Sequence, residues 1–165
     1  MIKIKRKMVL YVVVLSIIVF ISACLGTEKN EKKEEEKIKE FLLLNPDLIF
    51  ELKPSGLYYL DIKVGSGVQP VIHDTAYIFY IASLLDNRIF DSNTGTTDTL
   101  IIPVNEGKTI SGFDEAITYM RAGGKSLFIV PSYIGYGQTD ISFPAYTPIL
   151  YEVDLVRVKA GPGDE

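Results

Sequence analysis

The feature that most constrains this chain is a single change of period. From residue 49 onward the sequence runs in short strand-like segments, and one stretch, "ISGFDEAITYMRAGG", switches to helical spacing. There Phe113, Ala116, Ile117 and Met120 fall at i, i+3, i+4 and i+7, which is one apolar stripe. Such a stripe has to be buried against another layer, and the surrounding segments are strands: "IFELK", "LYYLDIKV", "DTAYIFYIASLL", "RIFDS", "DTLIIPV", "KSLFIV" and "PILYEVDLVRV". The implied class is α+β, an antiparallel sheet of about five or six strands wrapped around one short helix. Ser111 followed by Asp114 predicts a cap at the helix start, and Gly123-Gly124 predicts its end. In "DTAYIFYIASLL" both faces are apolar, so both are expected to be covered along part of their length. Asp86-Asn87 and Pro54-Ser55-Gly56 have the composition of turns.

The first part of the chain reads differently. "MIKIKRK" carries four basic residues and no acid, and residues 8–23 hold no charge and end in Ser22 and Ala23. A basic start, a short apolar core and small residues describe a secretory signal, and the run is shorter than the roughly 20 residues of a spanning helix. "ISAC" then brings in the only cysteine, Cys24, and resembles the bacterial lipobox, whose cysteine is acylated. The expected organisation is a lipoprotein signal at residues 1–23, a lipidated terminus with charged tether and short helix at 24–48, and the folded domain at 49–165. The tether, "TEKNEKKEEEKIKE", has six Glu and five Lys. It contains nothing expected to bury, and it is either a solvated helix with Glu28–Lys32 and Glu35–Lys39 pairs or a flexible spacer. A helix through "IKEFLLLNPDL" should stop near Asn45, ahead of Pro46.

Charge and residue content exclude several functions. The formal net charge is −4, and loss of a basic leader makes the remainder more acidic, a poor match for phosphate neutralisation, so nucleic acid is not an expected partner. The one histidine, His73, lies beside a strand start with no G-x-S-x-G in the chain; it reads as a surface residue. Closed zinc sites need about four Cys or His ligands, so no metal and no cofactor is expected. "DSNTGTTD" has Ile102 where an EF-hand loop ends in Glu, and reads as a polar connection.

What remains is aromatic. "VPSYIGYGQTDISFPAYTPI" places Tyr133, Tyr136, Phe143 and Tyr146 in one long connection. Long connections without secondary structure are usually binding loops or disordered, and disordered segments are poor in aromatics. Together with "VIHDTAYIFYIASLLDNRIFDSN", "VNEGKTISGFDEAITYMRAGGKSLFIVPSYIGYG" and "FPAYTPILYEVDLVRV", it resembles the FKBP-type peptidyl-prolyl isomerases over roughly residues 55–158. The resemblance implies that Tyr80 is the pocket tyrosine and that Phe90 and Asp91 are the Phe-Asp pair. It implies that the Ile110 N–H holds a ligand carbonyl and that the Tyr136 hydroxyl donates to the bound carbonyl. Phe113 stands in place of the tryptophan that floors the family's pocket. Leu100, Phe143 and Tyr151 match substrate-contacting positions, and residues 133–148 match the flap over the pocket.

The chemistry needs no nucleophile. Rotation about a peptide bond meets a barrier near 18–20 kcal/mol, and the twisted amide is less dipolar than the planar one, so an apolar pocket favours it by differential binding. The implied partners are proline-containing peptides or unfolded proteins, and a lipid membrane reached through acylated Cys24. The implied activity is isomerisation in folding of envelope proteins. Leu25 follows the cysteine where Asp retains enteric lipoproteins in the inner membrane, which favours the outer membrane of a bacterial envelope. Phe113 for tryptophan, and Ala145 where a second proline is usual, support an alternative: a non-catalytic peptide- or protein-binding module on the same scaffold.

Overall fold

The computed structural model describes residues 28–140 and 142–161. Cys24 and the expected leader lie outside the described residues. The chain divides into two compact units, Met1–Glu36 and Lys37–Glu165. Residues 28–36 of the first are helical, as are residues 37–44 of the second; we label the helical segment 37–44 α1. Among the described residues, no helix is long and apolar enough to cross a membrane.

Among the described residues seven antiparallel strands follow: β1 (Glu51–Leu52), β2 (Tyr58–Lys63), β3 (Thr75–Leu84), β4 (Ile89–Ser92), β5 (Leu100–Pro103), β6 (Gly124–Val130) and β7 (Ile149–Lys159). They form one sheet in the order β1-β2-β6-β7-β3-β4, with β5 also on β3. The ten residues of β3 make this possible. Its first half pairs with β5 (Thr75 with Pro103 through Ile78 with Leu100), and its second half pairs with β4 (Ile81 with Ser92 through Ser83 with Ile89). The expected fold class holds, with seven strands among the described residues where about five or six were expected, and each of the seven falls on one of the strand-like segments of the sequence.

One helix, α2 (Ser111–Tyr119), lies on the inner face. Phe113, Ala116 and Ile117 join Phe128, Val130, Ile149, Tyr151 and Val153 in one buried cluster. Fully burying a large apolar side chain contributes about 1.5–3 kcal/mol, so this cluster is the main source of stability. Strand alternation sends the neighbours of these residues to the other face. There Ile129 is buried with Ile38 and Phe41 from α1, with Tyr58 and Leu150 beside them. That explains the apolar back of the sheet. It also corrects the expectation that nothing in the charged run buries, since Ile38 falls on the helical face shared with Phe41.

Local details depart from the expected ones at both ends of α2. The cap position is Ile110, in an extended conformation and without a side-chain cap bond. Ser111 instead donates its hydroxyl to the Ile134 carbonyl at 3.1 Å, tying helix to flap. The helix ends at Tyr119, short of the glycines, and Met120 stays buried as the cap residue. Gly123 (φ 81°) then turns the chain into β6. The end of α1 is as expected: Asn45 donates its backbone N–H (3.1 Å) and its side-chain amide (2.8 Å) to the Phe41 carbonyl. Pro46 cannot continue the ladder.

Candidate functional site

The cleft lies where β3, β4, β5, α2, the flap and β7 converge. Tyr80 sits on β3, diagonal to Asp91 on β4 across the Ala82–Asp91 pair. Its hydroxyl donates to Asp91 Oδ2 at 2.7 Å. Beyond β4 the ladder stops, and Asn93 replaces it: Oδ1 accepts the Tyr80 N–H at 2.7 Å, and Nδ2 donates to the Ile78 carbonyl at 3.1 Å. The polar stretch read as a connection therefore pins the strand that carries Tyr80.

On the opposite side α2 brings Ile110 and Phe113. The helix can approach because Gly112 has no side chain; a Cβ there would stand 2.7 Å from Val130 Cγ1 and 3.0 Å from Ile134 Cδ1. The connection before the helix is fixed by Asp114, a buried carboxylate. It accepts the Gly107 N–H at 3.2 Å and the Thr109 hydroxyl. No acceptor among the described residues engages the Ile110 N–H, since Ile110 sits at the cap position, where the first helical N–H groups lack intrahelical partners.

The resulting cleft, about 340 Å³, is lined by Tyr80, Asp91, Leu100, Lys108, Thr109, Ile110, Phe113, Tyr136 and Tyr151. Seven of the nine residues singled out in the domain's sequence therefore line one cavity. The other two stand behind it: Phe143 packs on Phe90 (centroids 4.8 Å apart) and on Tyr136 (5.5 Å). The floor is a further set of rings. Phe113 meets Tyr151 edge-on at 4.9 Å and Phe128 at 5.5 Å, while Phe128 and Tyr151 stack at 5.5 Å. Of the flap's four rings, Tyr136 forms wall, Phe143 is buried, and Tyr133 is 66% exposed. Lys108 and Thr109 were not foreseen, because neither belongs to a periodic segment. A larger cavity of about 610 Å³ lies elsewhere, against Phe41, Leu84, Arg88 and Pro148, and holds none of the expected site residues.

The Tyr80 and Tyr151 phenols are neutral at physiological pH. Partial burial, then the Asp91 hydrogen bond, pushes the Tyr80 phenol up to about 12. Burial first, then the hydrogen bond with Tyr136, pushes the Tyr151 phenol higher still. The Tyr136 and Tyr151 hydroxyls are 3.5 Å apart, longer than the usual 2.5–3.0 Å between hydroxyls. Both can donate to something placed between them. Asp91 and Lys108 are the only carboxylate and ammonium on the lining.

A model of the FKBP-type peptidyl-prolyl cis-trans isomerase domain matches residues 67–156, which include every cleft residue named above. The chain belongs to that family. Among its relatives are an FKBP-type peptidyl-prolyl cis-trans isomerase FkpA of Aeromonas hydrophila and an Outer membrane protein MIP of Legionella longbeachae. The first is 28% identical over 83% of this chain and 51% of its own length. The second is 32% identical over 81% of this chain and 59% of its own. The chain thus spans about half the length of the curated relatives it matches. In structure it is similar to FkpA from Escherichia coli, with a TM-score of 0.71 at 23% identity over 82% of this chain and 63% of that one. A peptidyl-prolyl cis-trans isomerase from Pseudomonas syringae gives 0.69 at 23% over 81% and 96%. At these identities the structural likeness establishes the fold; the sequence match establishes the family.

Proposed function

We propose that this FKBP-type chain is a peptidyl-prolyl cis-trans isomerase that binds proline-containing segments of unfolded proteins, and that lipid on Cys24 holds it at a bacterial envelope. The observation that carries the proposal is the assembly of Tyr80, Phe113, Tyr136 and Tyr151 around one apolar cleft with the unengaged Ile110 N–H at its edge. In this account the rings take the proline, and the Ile110 N–H and the Tyr136 hydroxyl hold carbonyls on either side of the twisting bond. Asp91 orients Tyr80. The apolar walls favour the less dipolar, twisted amide, and no proton transfer is required.

The envelope placement rests on the sequence of residues 1–40: a signal-like start, "ISAC", and a charged spacer. One relative carries the name Outer membrane protein MIP, which supports the same compartment. Incorporation of labelled palmitate into the native chain, and its loss in Cys24→Ala, is the expected outcome; equal labelling of both would reject the anchor.

The activity is tested in a protease-free assay of cis-to-trans conversion of a Leu-Pro or Phe-Pro peptide. Acceleration by the native chain, reduced in Tyr136→Phe and in Asp91→Ala, is expected. Saturable peptide binding without acceleration would instead identify a binding module on an isomerase scaffold.

A further inference from the structure

Two opposite charges share the cleft without closing on each other. Asp91 accepts the Tyr80 hydroxyl at 2.7 Å. Lys108, on the facing wall, is exposed and makes no ion pair or hydrogen bond among the described residues, whereas Lys53 pairs with Glu51 at 2.6 Å and Lys125 with Glu152 at 2.5 Å. The residues on each side of Lys108 are held by one buried carboxylate: the Gly107 N–H and the Thr109 hydroxyl both donate to Asp114. The tethered connection thus presents an ammonium on a cleft whose lining is aromatic and aliphatic apart from Asp91 and Thr109, two residues before the Ile110 N–H.

We propose that Lys108 is a specificity-determining residue, and that the cleft selects proline segments bearing an Asp or Glu side chain within two residues of the proline. The distance follows from chain geometry: extended peptide advances about 3.3–3.6 Å per residue, so a lysine at the mouth reaches the nearest neighbours of a seated proline and no further. The inference rests on the peptide-binding reading of the cleft, and names which peptides it takes. An ion pair at such an exposed position is weak, so the preference is a bias among apolar substrates and not a requirement.

The test uses the full chain in a non-ionic detergent and peptides with a common Leu-Pro core, carrying Glu or Gln at one or two residues from the proline on either side. Affinity is read by calorimetry and turnover by the isomerisation assay. In at least one position the Glu peptide should bind roughly two- to fivefold tighter than its Gln twin, the size of an exposed ion pair. Lys108→Gln should erase the gap and Lys108→Glu should invert it. The gap should shrink at 1 M salt, where the screening length falls to about 3 Å. Equal affinity for Glu and Gln peptides at every position, or a gap that survives in Lys108→Gln, overturns the role of Lys108 while leaving isomerisation untouched. If peptides bind with the charge preference but are not turned over, the isomerase reading fails and the Lys108 inference stands. If no peptide binds saturably, both fail.

Discussion

The two ends of α2 use the same side chains to opposite effect. Near its C-terminal end, the Tyr59 hydroxyl donates to Asp61 at 2.7 Å and lies 2.9 Å from Ser126, which itself donates to Asp61 at 2.8 Å. Beside it, Tyr119 and Ser55 both donate to Glu115 Oε1 at 2.8 Å, and Lys53 covers the Tyr119 ring at 4.4 Å. Each polar group there has a partner at normal length. At the N-terminal end the Tyr136 and Tyr151 hydroxyls stand 3.5 Å apart, and among the described residues the Ile110 N–H is unengaged and Lys108 is unpaired. A closed network locks helix to sheet; an open one leaves donors for a guest. The difference lies in satisfaction, not in residue type, and it separates Tyr59 and Tyr119 from Tyr136 and Tyr151.

Four outcomes break or sharpen this contrast, in decreasing size. Both ends share the Phe128 ring, which is fully buried, so Phe128→Ala should cost about 3–5 kcal/mol and abolish both regions in one thermal transition. Separate transitions would show that they do not share a core. Asp114→Ala removes the acceptor of two donors, which should cost about 1–3 kcal/mol in denaturant unfolding and also weaken peptide binding, because the loop carrying Ile110 is released. Tyr59→Phe, in the closed network, should cost about 1 kcal/mol and leave kcat/KM unchanged.

The smallest effect is a pH dependence. Tyr80 is raised from its ordinary 10.0 to about 12. The group is neutral when protonated, so its contribution to stability is complete below pH 10 and is lost as pH rises through 12. Absorbance titration should place one phenol near 12 in the native chain. Asp91→Asn should move that midpoint back toward 10.0, though not fully, because burial is the larger cause. No movement would remove Asp91 from the account of Tyr80.

Much of this was legible before the structure, for identifiable reasons. Strand alternation and the single stripe Phe113–Met120 report burial directly, and they fixed the layers, the class and most of the strands. The cleft residues matched by family resemblance do converge: Tyr80, Asp91, Leu100, Phe113 and Tyr151 sit at strand or helix positions whose direction the backbone determines, and Ile110 and Tyr136 are brought in by the connections beside them. What was hidden depends on tertiary partners. Ser111 has the composition of a cap, but the Ile134 carbonyl arriving from the flap takes its hydroxyl. Ile38 is hidden in a charged run, and only the back of the sheet shows why it is apolar. Lys108 and Thr109 lie in an aperiodic connection, and their place on the cleft is set by Asp114, a contact across five to seven residues that no period announces.

The most direct test of the contrast is one side-by-side measurement: kcat/KM for isomerisation of a Leu-Pro peptide, with thermal unfolding of the same samples, for Tyr136→Phe and Tyr59→Phe. The open-end variant should lose roughly two- to tenfold in kcat/KM, the worth of one hydrogen bond made in the transition state, and stay within about 0.5 kcal/mol of native stability. The closed-end variant should do the reverse. Loss of turnover in Tyr59→Phe with none in Tyr136→Phe would contradict the assignment of the cleft.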